Sequence, residues 1–151
     1  MADCPELIHI WCDGLTKTGE EEILGSLRSV SLTNCPKLEE LNFQENSVET
    51  LSVSGCPALK KVYGWRNRLA SLDLSGCTSL TECKVAANRL ARASFRGCAA
   101  LDLLDIPDNA LAELDLSGCG ALREIWLQNN RTLTSLDLSD NTNCLLYTSD
   151  A

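Results

Sequence analysis

At 151 residues, with 13 Lys+Arg against 21 Asp+Glu, the chain is long enough for one compact domain or one short repeat array, and it is acidic. That balance argues against a phosphate-binding basic face and against attraction to an anionic membrane surface. No apolar run reaches bilayer length, so neither a nucleic-acid partner nor membrane insertion is expected.

The opening stretch already reads as the middle of a repeat. Cys4-Pro5-Glu6-Leu7 and Ile10-x-Cys12 match Cys35-Pro36-Lys37-Leu38 and Leu41-x-Phe43 further on. Neither a basic-then-apolar leader pattern nor a polar end cap is visible in these first residues, as expected of a piece taken from within a longer array. The following repeat begins about ten residues later than the period requires, which places an insertion within Asp13 to Gly25. Thr18-x-x-Glu21 has the form of a capping box and Gly25 that of a helix stop, predicting one short acidic helical turn bulging from the array.

From Ser26 the period is explicit. Five stretches of 21 residues align without gaps, starting at Ser26, Ser47, Arg68, Arg89 and Ala110. The tenth position is always cysteine (Cys35, Cys56, Cys77, Cys98, Cys119) and the last always asparagine (Asn46, Asn67, Asn88, Asn109, Asn130). Each stretch splits into two halves of the form L-x-x-L-x-L-x-x-N/C, as in Leu69-x-x-Leu72-x-Leu74-x-x-Cys77. Period-two apolar residues predict short strands buried on one face. Asparagine or cysteine then turns the chain: a buried amide satisfies backbone groups at the corner and its copies bond along the stack, while cysteine is a small apolar plug with a weak donor.

A coil this short leaves little room for a helix. The expectation is a repeat solenoid of about six coils, mostly parallel β, with one parallel sheet from each half and coils about 4.8 Å apart. Gly64 stands where a core side chain belongs, which predicts a bulge with Trp65 filling the gap. Near the end, Cys144 replaces an expected leucine. Cys144 to Ala151 resembles a translated sequencing adapter, so the solenoid is expected to span residues 1–143, followed by a non-native tail over 144–151. The other eight cysteines follow the repeat rather than a C-x-x-C pattern, which favours packed, reduced thiols over zinc or redox chemistry.

The run Leu122-Arg123-Glu124-Ile125-Trp126-Leu127-Gln128-Asn129-Asn130, followed by Leu133-x-x-Leu136-Asp137-Leu138, resembles the nested, irregular 21-residue class of bacterial leucine-rich repeats. The resemblance covers nearly the whole chain. It implies an interaction scaffold, part of a longer bacterial protein at the cell surface or secreted, with a cytoplasmic location as the alternative.

Residues between the leucines point outward, so the two faces can be compared by columns. The first-half column (Ser31, Ser52, Asp73, Ser94, Asp115, Asp137) is monotonous, as turn chemistry and solubility require. The second-half column (Trp11, Asn42, Tyr63, Lys84, Asp105, Trp126) varies, and half of it is aromatic. Outward aromatics and arginines are common anchors of recognition. That column, edged by Trp65 and Arg66, is therefore the predicted ligand face for a protein partner. The alternatives are a glycan stacking on the aromatics, a passive spacer for a missing domain, or aromatics that merely suit a β-strand. No enzyme, metal or cofactor is expected. His9 is the single histidine, no G-x-S-x-G element occurs, and Asp102-x-x-Asp105-x-x-Asp108 lacks the glycine and glutamate of a calcium loop.

Overall fold

The computed structural model describes residues 4–18 and 21–147. The period-two halves of each repeat become strands of three to five residues. In chain order they are β1 (His9–Trp11), β2 (Thr16–Thr18), β3 (Glu21–Ile23), β4 (Ser29–Thr33), β5 (Glu40–Asn42), β6 (Thr50–Ser54) and β7 (Lys61–Tyr63). They continue as β8 (Ser71–Asp73), β9 (Glu82–Lys84), β10 (Arg92–Ser94), β11 (Leu103–Asp105), β12 (Glu113–Asp115), β13 (Glu124–Trp126) and β14 (Leu145–Tyr147). The chain is a β-solenoid of about six coils, with no helix among the described residues.

Second-half strands form one seven-stranded parallel sheet in the order β1-β5-β7-β9-β11-β13-β14. First-half strands form a parallel pair, β4-β6, and a separate parallel trio, β8-β10-β12. The sheet expected on that side is thus interrupted between β6 and β8. A change in thiol bonding coincides with the break. The sulfurs of Cys35 and Cys56 donate to carbonyls of their own coil, Thr33 and Ser54, both at 3.6 Å. Those of Cys98 and Cys119 reach the preceding coil instead, to the carbonyls of Leu74 at 3.1 Å and Phe95 at 3.0 Å. All nine cysteines are free thiols.

The core is a stack of side-chain columns. Leu38, Leu59, Leu80, Leu101 and Leu122 form one, and Leu41, Val62, Cys83, Leu104 and Ile125 another, all fully buried. Each fully buried leucine contributes roughly 1.5–3 kcal/mol, but only against its neighbours one coil away, so stability accumulates coil by coil.

Both corners of a coil share one device. The residue before the corner adopts a left-handed backbone: Gly55, Gly76, Gly97 and Gly118 before the cysteines, and Glu45, Arg66, Ala87, Asp108 and Asn129 before the asparagines. The following Asn amide then enters the coil and bonds backbone groups. Asn88 Nδ2 donates to the carbonyls of Val85 in its own coil at 3.1 Å and Gly64 in the preceding coil at 3.0 Å. Its Oδ1 accepts the Leu69 N–H at 3.0 Å. The ladder thus runs from amide to backbone, within each coil and from one coil to the next.

Two local expectations are corrected. The insertion is an antiparallel hairpin, with Thr16 opposite Ile23 and Lys17 opposite Glu22, rather than a helical turn. So few residues cannot repay helix nucleation, and the β-branched Thr16, Thr18 and Ile23 favour strands. Gly14 and Gly25 pinch its base: a Cβ on either would collide with the Asn46 side chain. Around Gly64 there is no bulge, since β7 and β9 keep regular register. The space is filled by the Phe43 ring of the preceding coil, which a Cβ on Gly64 would strike, while Trp65 is half-buried against Tyr63. At the far end, Leu145–Tyr147 pair in parallel with β13. Residues 148–151 of the expected tail lie outside the described residues.

Candidate functional site

Parallel pairing with a constant offset places the predicted residues side by side. Trp11 is opposite Asn42, Asn42 opposite Tyr63, Tyr63 opposite Lys84, Lys84 opposite Asp105 and Asp105 opposite Trp126. All six lie on one column of the seven-stranded sheet, with neighbours about 4.8 Å apart. Trp11 is 69% exposed. Its Nε1 donates to Glu40 Oε1 at 3.2 Å, and its ring stacks on His9 with centroids 5.6 Å apart.

The middle of the column is more internally bonded than the sequence suggests. Tyr63 donates from its hydroxyl to Glu82 Oε2 at 2.8 Å. Burial, then this bond, pushes the phenol well above its ordinary range. Lys84 Nζ lies 5.8 Å from the Tyr63 ring centroid and 3.1 Å from Glu82 Oε1. Burial raises the Glu82 pKa, but the bonds from Tyr63 and Lys84 outweigh it and leave the carboxyl below its usual value. Trp65 meets Tyr63 edge-on at 5.9 Å. Asn42 Oδ1 is spent locally, accepting the Gln44 N–H at 3.2 Å. Asp105 is half-buried, and desolvation raises its pKa despite the nearby Lys84.

Arg66, expected at the edge of the face, sits at a corner. It bonds Glu45 at 2.9 Å and Glu22 of the hairpin at 3.0 Å. Sequence reasoning missed Glu22 as a partner. Glu82 was legible in the register; Glu22 was not, because the hairpin's direction depends on packing.

The first-half face behaves as its composition indicates. Asp73, Asp115 and Asp137 accept the backbone N–H of Ser75, Ser117 and Ser139 at 2.9–3.0 Å. The serine hydroxyls first, and then these backbone bonds, hold their carboxyls below the usual range. A shallow groove of about 650 Å³ runs over Ser71, Asp73, Ser94, Asp115 and Asp137, a feature the sequence gives no sign of. Its aspartates are already engaged in turns. Asp102 and Asp108 are likewise taken, by Arg123 at 2.6 Å and Asn129 at 2.6 Å. Among the described residues no group of three or more His, Cys, Asp or Glu side chains is placed to hold a metal ion, and no helix is long and apolar enough to cross a membrane.

A family model described as Leucine Rich repeat matches residues 129–142. Match and coiled architecture together support a leucine-rich repeat protein. The matched segment contains Asn141, which takes the cysteine position of the first-half corner. Asn141 Nδ2 donates to the Leu116 carbonyl at 3.4 Å, the position equivalent to Leu74 and Phe95 beneath Cys98 and Cys119. In this solenoid, thiol and amide therefore serve one corner interchangeably. No curated protein matches the chain.

Proposed function

We propose that this solenoid is a non-catalytic scaffold that binds a protein ligand through the outer face of its seven-stranded sheet. The observation that carries this reading is the single unbroken column from Trp11 to Trp126, aromatic at both ends and variable between. A strand-to-strand spacing of about 4.8 Å makes it a ruler roughly 24 Å long, enough to meet several side chains of one partner. The outward column of the opposite face is small and acidic, and its aspartates hold its own turns. Large aromatics with exposed surface are characteristic anchors of interfaces.

The test is a protein microarray probed with the wild-type chain, a Trp11→Ser/Trp126→Ser variant, and a Ser52→Arg control on the other face. Ligands should disappear with the double variant and survive the control. Ligands that persist on the double variant overturn the assignment, and binding confined to a parallel glycan array would replace the protein reading by a carbohydrate one.

A further inference from the structure

The charges of the face are unevenly settled. Lys60 pairs with Glu39 at 3.1 Å, Lys84 with Glu82 at 3.1 Å, and Arg123 makes two bonds of 2.6 Å to Asp102. Arg66 is held by Glu45 and Glu22. Lys61 lies on β7, three strands from β13 in the sheet order. Around β11 and β13 the balance is acidic: no hydrogen bond or ion pair among the described residues engages the carboxylates of Asp105 or Glu124. Asp105 is a half-buried group whose desolvation outweighs the nearby Lys84 charge, and Asp108 and Glu82 add to the acidity around it.

The same face holds a worked example of how such a place is filled. On β7 and β9, the Lys84 ammonium sits between the Tyr63 ring and the Glu82 carboxylate. On β11 and β13 the register sets Trp126 beside Asp105 and Glu124 beside Leu103. Ring and carboxylates are present there, but the position corresponding to Lys84 is an acid. Leu103 and Pro107, both half-buried, flank Asp105 and offer apolar surface to an aliphatic stem.

Resting on the reading of this face as a ligand surface, we propose that Asp105, Glu124 and Trp126 seat a lysine or arginine side chain of a basic partner segment. A ring face and a carboxylate attract a cation together, and the chain's net charge of −8 steers basic partners toward it.

The experiment is calorimetric titration of the full chain with an end-capped peptide of alternating glycine and arginine, and with its glycine–glutamate counterpart. The arginine peptide should bind and the glutamate peptide should not. Asp105→Asn and Trp126→Leu should each weaken binding about ten-fold, the scale of one anchor contact. Glu113→Gln, the same charge change on the first-half face, should leave it unchanged. Binding should strengthen as pH rises through the raised Asp105 pKa. Thermal unfolding of each variant confirms that the fold is intact. Equal weakening by Glu113→Gln would reduce the effect to net charge and overturn the seat, as would an arginine peptide that does not bind. Microarray ligands that depend on Trp11 and Trp126 yet are not basic would sink the cation seat while leaving the ligand face standing.

Discussion

Asn67 and Val48 close one 21-residue stretch: the Val48 N–H near its start donates to Oδ1 of Asn67 at its end, at 2.9 Å. The same amide donates through Nδ2 to the Phe43 carbonyl of the preceding coil at 3.0 Å. Equivalent bonds recur at Asn88, Asn109 and Asn130, so one side chain per coil does the stitching that a helix would do in a longer repeat. Removing it strands a buried N–H and buried carbonyls. Asn88→Ala should cost about 2–4 kcal/mol, since each unsatisfied buried group costs roughly 1–3 kcal/mol. Urea denaturation reads the loss; a midpoint equal to wild type would show that the ladder contributes little.

The Phe43 ring lies where a Gly64 side chain would go. Gly64→Ala should therefore destabilise by about 1–3 kcal/mol through overpacking. Trimming the obstacle should relieve it, so Phe43→Leu combined with Gly64→Ala should lose less than the two single changes added together. Strict additivity in the cycle would mean that the ring is not what excludes a side chain there.

Ala87 holds φ at 54°, a region that costs a side-chain-bearing residue energy. Ala87→Gly should stabilise by about 0.5–1 kcal/mol despite the added freedom of the unfolded chain. Gly118→Ala should do the reverse and more, because its φ is 75° and a Cβ would lie 3.3 Å from the Gly97 backbone. Thermal melts of both variants provide the check, and shifts of the same sign would contradict the corner geometry.

The hairpin is an excursion between two glycines that already meet at Asn46. Joining Gly14 directly to Gly25 by deleting residues 15–24 should restore an uninterrupted coil. The Glu22–Arg66 pair, at 3.0 Å and partly exposed, is one tie that would be lost. Such pairs contribute little, so cooperative unfolding should survive with a small change in midpoint. Collapse of the cooperative transition would make the hairpin part of the core.

Burial pushes the Cys98 thiol up to about 12 and the Cys119 thiol up to about 11, and Cys83 well above its ordinary value. In the unfolded chain these thiols ionise near 9. Raised folded values mean that their contribution is complete below that pH and is lost as pH rises towards the folded values. Stability should therefore fall from about pH 9 upward, and a Cys83→Ala/Cys98→Ala/Cys119→Ala variant should show a flatter alkaline limb. Equal slopes in wild type and variant would assign the effect to other groups.

Much of this molecule was written in its local pattern. The spacing of Leu38, Leu41 and Phe43, repeated with Cys and Asn at constant intervals, determined the strands, the corners, the parallel register and hence the columns from Trp11 to Trp126. A translation-symmetric coil makes sequence distance equal to spatial neighbourhood, so these relations could be counted. The exceptions broke that symmetry. Whether Phe43 or Trp65 fills the space at Gly64, and which way Glu22 faces, were settled by packing against another coil. So was the interruption between β6 and β8, where thiol bonding changes direction. Such choices depend on the shape of space between coils, which a single repeat does not contain.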